Sequence, residues 1–272
     1  MPIDFSNPLS VFTLVLRIAA IGVLIVSVET LVRVEVFRND GLMSWEVGCL
    51  QRPIMVRGAF GWALDRLLRY PNVNALLAVR AALAAAIIMG PANWVRSPWL
   101  VCPTAVVILL LTIRHPYGQD GADQMTVIIF IGAGLTLLGR EPWVIKVYLW
   151  FLALQVCLSY GTAGVAKATA AGWLDGSFLV GIAASQLYGH PRAGQALSVR
   201  PVLSRAISRS IVVWETAFPL VLITPRPLAY VIVATGVLFH LSNGVLMGLN
   251  NFLWLFVATY PALLYCLISR GW

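Results

Sequence analysis

The sequence predicts an all-α protein, a polytopic transmembrane bundle of about eight helices with further helices lying in the membrane interface. Hydrophobic residues make up 60% of the 272 residues and charged residues only 11%, whereas soluble domains carry about 25% charged residues. The mean hydropathy is +0.85. Long apolar segments also recur along the whole chain, so lipid must replace water as the solvent for most of the surface.

The apolar segments predict eight spans joined by connections that leave no room for an extramembrane domain. We therefore expect a single domain over residues 1–272. The first segment follows MPIDFSNPLS, which lacks a basic region, and this favours a retained helix over a cleaved signal. The segments 99–113 and 125–139 are short, so they should tilt little or cross only part of the bilayer. The candidate spans are 9–31, 73–90, 99–113, 125–139, 144–164, 206–224, 228–247 and 251–268.

Two longer connections, 32–72 and 165–205, contain candidate interfacial helices. Aromatic and aliphatic residues alternate with arginines over 57–70, which is typical of an amphipathic helix lying on the membrane. The stretch SFLVGIAAS (177–185) is too short to span, so it is interfacial or re-entrant. With eight spans both connections lie on the same side, and their arginines predict that this side is cytoplasmic.

The net charge of +8 fits anionic lipid headgroups better than nucleic acid. The basic residues are spread through apolar segments and form no dense run or nucleic-acid motif, so we expect no nucleic-acid partner. The four cysteines, at 49, 102, 157 and 266, form no CxxC pair. We interpret them as small buried apolar residues and predict no metal site.

Glu215 lies within the apolar segment SIVVWETAFPLVLI, where an ionisable side chain is costly. It could pair with an arginine of another helix, such as Arg80 or Arg17, or it could bind substrate. His240 also lies in an apolar segment, where packing is the ordinary role of a lone histidine. Asn243 lies within one turn of His240 and shares a face with Asn250, and glycines at 236, 244 and 248 form a ridge that admits another helix.

Lys167 ends an apolar segment and has no acid among the eleven residues before it or the seven after it. It could snorkel, with its stem in lipid and its amine in the interface. The small residues Ala163 and Gly164 admit a neighbouring helix, however, and a desolvated lysine can act as a general base.

The connection RHPYGQDGADQM places His115, Tyr117, Asp120 and Asp123 between two predicted spans. Aspartate is favoured at helix N-termini, so Asp120 and Asp123 could cap the following helix. Two acids could also bind a divalent cation, but too few ligands are present to propose one.

Several of these stretches resemble one family. YGTAGVAKATAAGWLDG (160–176) is similar to the Y-x-x-A-G-x-x-K…W-x-x-G element of vitamin K-dependent γ-glutamyl carboxylases and their bacterial relatives. The shared membrane module is the horizontally transferred transmembrane (HTTM) domain. HLSNGVLMGLNNFLW resembles the family's H-x-x-N…F…W/Y helix, and ETAFP and NDGLMS resemble two further elements. The resemblance runs in family order over residues 38–254.

The resemblance implies that Lys167 is a base acting on reduced vitamin K or another quinone. Oxygen then adds, the resulting strong base removes a proton from a glutamate γ-carbon, and CO₂ captures the carbanion. His240 corresponds to a histidine of that site, and Tyr160 and Trp173 become substrate-binding candidates beside Glu215 and Asn243. The family topology places NDGLMS on the outer side, opposite to the prediction from charge.

The chain also departs from the carboxylases. They carry a large extracytoplasmic domain that binds the substrate propeptide, whereas this sequence ends soon after its last span, and Asn250 and Leu253 stand where the family has glycine and proline. It is closer to short bacterial members linked to peptide or toxin maturation, such as the membrane component of the sporulation-delaying toxin system.

Three functions follow as hypotheses for a bacterial inner-membrane protein. The first is modification or maturation of a secreted peptide, with Lys167 and His240 catalytic and a neighbouring-gene subunit as a further partner. The second is a non-catalytic membrane partner or chaperone for a peptide or subunit. The third is a small transporter, against which the lack of a clear inverted repeat argues.

Overall fold

The computed structural model describes residues 3–41, 43–51, 57–115, 119–139, 141–186 and 188–270. These ranges fold into helices, and no strand occurs among them. The predicted all-α class is therefore confirmed.

The described chain contains α-helices and three short 3-10 segments, the latter at Val34–Phe37, Cys49–Gln51 and Phe218–Leu222. The α-helices, in chain order, are α1 (Pro8–Val32), α2 (Trp45–Gly48), α3 (Gly58–Leu68), α4 (Asn72–Met89), α5 (Ala92–Val95), α6 (Pro98–Arg114), α7 (Gly121–Leu138), α8 (Pro142–Ala168), α9 (Ala171–Leu174), α10 (Ser177–Ala184), α11 (Pro191–Ser198), α12 (Pro201–Ala217), α13 (Arg226–Met247), α14 (Asn250–Val257) and α15 (Tyr260–Ser269).

Six helical segments in the described ranges are long and apolar enough to cross a membrane: α1, α4, α7, α8, α13 and the 250–269 segment formed by α14 and α15. The protein is therefore a multi-pass membrane protein whose exposed apolar side chains contact lipid. The two other predicted spans are also helical but differ in length. The 99–113 segment is α6, with 17 residues, and the 206–224 segment is the end of α12 followed by a 3-10 segment.

Residues 12–148 form one compact unit. In its apolar core, Phe37 and Trp45 pack with side chains of α3, α4 and α6. Arg114 is buried there, and its guanidinium donates hydrogen bonds to the carbonyl oxygens of Leu68, Phe37 and Met43. Backbone carbonyls thus take the place of an acid as partners for this buried cation.

The N-terminus of α7 is closed by the two acids that the sequence proposed as caps. Asp120 Oδ1 accepts hydrogen bonds from the backbone N–H groups of Ala122 and Asp123, at 2.9 and 3.0 Å. Asp123 Oδ2 accepts one in return from Asp120 N, at 3.3 Å. The capping interpretation is confirmed, while Tyr117 lies outside the described residues.

The two candidate interfacial segments form short helices, α3 and α10. On α3, Leu64 and Leu68 are buried while Phe60 and Trp62 are exposed, which makes this helix amphipathic. Helix α10 has eight residues, none of them buried, and cannot span the bilayer.

The described residues from 149 to 270, together with residues 3–11, form the second compact unit. Here α8 runs antiparallel to α12, since Gly161 meets Pro219 and Gly164, further along α8, meets Thr216. Helix α13 packs against α14, where Gly244 meets Leu253. Arg226 donates hydrogen bonds to the carbonyl oxygens of Leu267 and Ile268 and so ties the start of α13 to the end of α15.

Candidate functional site

Helix α8 places Tyr160, Gly164 and Lys167 on one face, because their spacings of four and three residues match the helical period. Gly164 is buried against α12. A Cβ atom at this position would lie only 2.5 Å from Thr216 Oγ1 and 2.8 Å from the carbonyl carbon of Glu215. Glycine is therefore what permits the two helices to approach this closely.

This close approach joins Lys167 to Glu215. Lys167 Nζ donates a hydrogen bond to Glu215 Oε2 at 2.6 Å, within an ion pair whose side chains are 22% and 5% exposed. The ammonium group also lies 5.2 Å from the centre of the Trp173 ring. Such a contact adds a cation–π attraction to the ion pair.

A hydrogen bond to its backbone carbonyl holds Trp173 in place. Ser208 Oγ of α12 donates a hydrogen bond to the Trp173 carbonyl oxygen at 2.5 Å. Asp175, two residues later, accepts hydrogen bonds from Ser177, and these hold the pKa of its carboxyl below the usual value. The acid that meets Lys167 is therefore Glu215 on another helix and not Asp175, the acid nearest to it in sequence.

Two sequence-based expectations for these residues are corrected. Arg80 and Arg17 were candidate partners of Glu215, but Arg80 Nε donates to Ser27 Oγ at 2.8 Å and Arg17 to the Gly90 carbonyl oxygen at 2.7 Å. The partner is Lys167, which is consequently not a lone snorkelling lysine. Periodicity within one helix cannot reveal this pairing, because it depends on how two helices pack.

A second polar group lies deeper along the same face of α8. The Tyr160 hydroxyl lies 2.6 Å from Nε2 of His240 on α13 and 2.6 Å from the hydroxyl of Tyr260 on α15. All three side chains are buried. The structure thus brings two of the predicted site residues, His240 and Tyr160, into contact, and Tyr260 joins them.

The possible donors fix the direction of this hydrogen-bond chain. If Tyr260 donates to Tyr160 and Tyr160 donates to His240 Nε2, both hydroxyl protons are used. In the opposite direction both the Tyr260 proton and the bare Nδ1 of His240 lack a partner among the described contacts. Each buried unpaired polar group costs about 1–3 kcal/mol, and the first direction leaves only one such group, the Nδ1 proton, so it is favoured. His240 then carries its proton on Nδ1, an atom that is buried and has no hydrogen-bond partner in the described part of the chain.

Aromatic rings surround the hydrogen-bonded side chains of Tyr160, His240 and Tyr260. The Phe218 ring lies 4.0 Å from that of Tyr160 between ring centroids, and Trp214 meets Tyr160 edge-on at 5.1 Å. Phe256 stacks on His240 at 4.7 Å. These rings exclude water and strengthen the polar contacts that they surround.

Asn243 is the predicted site residue that the described contacts do not connect to the others. Its side chain is half-buried, and its backbone carbonyl accepts a hydrogen bond from Leu249 N at the end of α13. The prediction that Asn243 and Asn250 share a helical face was wrong. Gly248, with φ of 68°, ends α13, and Asn250 begins a separate helix, α14. Gly248 therefore lies outside the small-residue ridge, whereas Gly236 and Gly244 do face neighbouring side chains.

An apolar groove of about 870 Å³ opens along α8, on a different face of the helix from Tyr160 and Lys167, and neither Lys167 nor Glu215 lines it. Its lining includes Ala166 and Thr216, the sequence neighbours of Lys167 and Glu215. The lining residues are Phe151, Leu154, Gln155, Cys157, Leu158, Gly161, Thr162, Val165, Ala166, Thr216 and Pro219.

Sequence reasoning missed Tyr260. The available signal was a tyrosine in the middle of the apolar segment NFLWLFVATYPALLY, because a hydroxyl at that depth requires a partner. Gly236 supplies the room: a Cβ there would lie 3.0 Å from Tyr260 Cζ. The ridge glycine and the missed tyrosine are thus two sides of one contact.

In the described ranges no group of three or more His, Cys, Asp or Glu side chains could hold a metal ion. The four cysteines are free thiols, with Cys157 and Cys266 buried. No protein-family model, curated protein or solved structure matches the chain. The resemblance to the carboxylase family stays a prediction from the quoted motifs.

Proposed function

We propose that the protein is an HTTM-type enzyme of a bacterial plasma membrane that modifies or matures a secreted peptide with the help of a quinone-type lipid. The observation that carries this proposal is the 2.6 Å contact between Lys167 and Glu215, mostly buried between α8 and α12. A lysine largely withdrawn from solvent within a membrane bundle is suited to remove a proton from a lipid-soluble acid.

Lys167 must be a neutral amine to accept a proton. Glu215 can bring this about, because transfer of the lysine proton to the carboxylate turns an ion pair into two neutral groups. A reduced quinone, if bound here, would supply an acidic hydroxyl; Lys167 Nζ would accept that proton, and the Trp173 ring would stabilise the resulting ammonium group.

The groove fits the apolar tail of such a lipid. Leu154, Leu158 and Val165 line it with exposed aliphatic side chains, and at about 870 Å³ it lies in the usual size range of small-molecule sites. A reduced quinone bound there would supply the electrons for oxygen-dependent chemistry on a peptide. Tyr160, which lies on the same face of α8 as Lys167, and its contact His240 would orient the reacting groups.

A second function, that of a non-catalytic membrane partner, is favoured if the ion pair has a structural role. A buried salt bridge between two helices can fix their register, and we call this structural role a latch. The two functions differ in what they require at position 167, since a latch needs a cation whereas a base needs a group that can lose its proton.

Lys167→Arg separates the two functions. Arginine keeps the positive charge and stays protonated at physiological pH. If Lys167 is a base, the variant remains folded but loses the ability to consume reduced vitamin K under oxygen. If it is a latch, the variant keeps both its stability and its bound partner, and the enzymatic proposal is wrong.

The lipid assignment is tested by extracting lipids from the purified protein and measuring bound quinone by mass spectrometry. We expect quinone to copurify with the wild type and to be lost from Thr162→Phe, because the phenyl ring is larger than the threonine side chain and fills the groove. The matched control is Val147→Phe, an exposed position of α8 outside the groove lining. No quinone in the wild type, or equal amounts in all three proteins, contradicts the assignment.

A further inference from the structure

The region that follows the candidate site carries an unbalanced positive charge. Residues 176–214 contain Arg192, Arg200, Arg205 and Arg209 and no Asp or Glu. All four arginines are exposed, and none lies within 4 Å of an acid among the described residues. We call this set the basic surface. Asp175, one residue before this range, attracts Arg205 over a longer distance, and this contributes to the lowered pKa of its carboxyl.

Exposed aliphatic side chains are interleaved with these cations. Val199 and Val202 flank Arg200 and are 70% and 79% exposed. Leu203 and Ile207 are exposed on the same helix as Arg205 and Arg209. Alternation of cations with exposed apolar groups is the pattern of a surface that lies at the boundary between lipid headgroups and acyl chains.

The basic surface is held rigidly against the preceding segment. Arg209 Nε donates a hydrogen bond to the Leu174 carbonyl oxygen at 2.8 Å. Gly176, with φ of 87°, lies against the backbone of Arg205, where a Cβ would approach within 2.9 Å of the Arg205 Cα. Arg205 is therefore carried on a backbone that packs against Gly176, and its side chain is exposed.

We propose that the basic surface binds the phosphate headgroups of anionic phospholipids, with Arg192, Arg200 and Arg205 as phosphate ligands. Arginine binds phosphate through paired N–H donors, and each cation near an anionic membrane contributes about 1 kcal/mol. The interleaved aliphatic side chains favour a lipid over an acidic peptide, because acyl chains cover them while a charged peptide leaves them in water. This binding does not rest on the proposed enzymatic function.

The test uses the full-length protein in a neutral detergent, titrated with phosphatidylglycerol or phosphatidylcholine and followed by native mass spectrometry. We expect phosphatidylglycerol to bind at least tenfold more tightly, and high salt to remove the preference. Arg200→Gln/Arg205→Gln should lose this preference, with about a fivefold loss of affinity for each arginine removed. The charge-matched control is Arg33→Gln/Lys146→Gln, which changes two exposed cations elsewhere.

Equal affinity for the two lipids overturns the proposal, as does a loss in the control as large as that in the Arg200/Arg205 variant. Displacement of phosphatidylglycerol by a pentaglutamate peptide at lower concentration than by further lipid assigns the surface to an acidic peptide instead. If the double variant does not fold, the single variants Arg200→Gln and Arg205→Gln are measured in the same titration, and each must show its own loss.

Discussion

Lys167 Nζ lies 2.6 Å from Glu215 Oε2, although the two residues are 48 positions apart in the chain. The lysine that has no acid near it in sequence therefore obtains one from another helix. The contact exists because Gly164, one turn before Lys167, lets α12 approach the α8 backbone. Removing either partner leaves the other in a dry environment.

Lys167→Met should lower the free energy of unfolding by about 3 kcal/mol, because Glu215 loses the partner of a buried carboxylate. Lys167→Met/Glu215→Leu should recover most of this loss, since no buried charge remains. Chemical unfolding in detergent measures both, with Lys146→Met, an exposed lysine of the same helix, as the control. A double variant as unstable as the sum of its single variants means that the two side chains are not coupled.

Tyr160→Phe should destabilise the protein more than Tyr260→Phe. Tyr160 contacts both His240 and Tyr260, so its loss leaves two buried groups unpaired at about 1–3 kcal/mol each. Tyr260→Phe leaves the Tyr160–His240 bond intact and should cost about 1 kcal/mol. Melting curves compare both variants with Tyr230→Phe, an exposed tyrosine of α13 that we expect to be neutral. The reverse order would show that Tyr160 is not the centre of the chain.

His240 should be neutral with its proton on Nδ1, because Tyr160 donates to Nε2. Nitrogen-15 NMR of the histidine-labelled protein distinguishes the two ring nitrogens, and His240→Gln identifies the signal among the three histidines. We expect a protonated Nδ1 and a bare Nε2. Protonation at Nε2 would reverse the hydrogen-bond chain and make Tyr260 the residue with an unused donor.

Gly236→Ala should destabilise the protein by about 1–3 kcal/mol, since the added methyl group would meet the Tyr260 ring in a packed core. Gly181→Ala provides the matched comparison, because a Cβ there meets nothing within 4 Å. In a helix this second change should stabilise the protein by about 1 kcal/mol. Thermal unfolding of both variants tests the contact, and equal effects at the two glycines contradict it.

The sequence predicts the long helices well, because a helix that crosses the lipid needs about 20 apolar residues and such a run is recognisable by its length. The positions of α1, α4, α7, α8 and α13 follow from that demand alone. The Asp120 cap was also predictable, since capping is a local interaction within four residues. Contacts formed within one helix can be predicted from the sequence of that helix.

The pairings between helices were not predictable in the same way. Glu215 could have met any of several cations, and Lys167 became its partner only through the packing at Gly164. Tyr260 escaped notice because nothing near it in sequence names its partner, which lies 100 positions away. Small residues at 164 and 236 indicate that some helix comes close, but they do not say which one.

The proposed role of Lys167 as a base is tested most directly by the rate at which purified protein in detergent consumes reduced vitamin K under oxygen, followed by the hydroquinone fluorescence. We expect the wild type and Lys146→Met to consume it and Lys167→Met and Lys167→Arg to fall to the rate of the protein-free blank. Consumption by the Lys167 variants at the wild-type rate, or no consumption by the wild type above the blank, would contradict a catalytic Lys167.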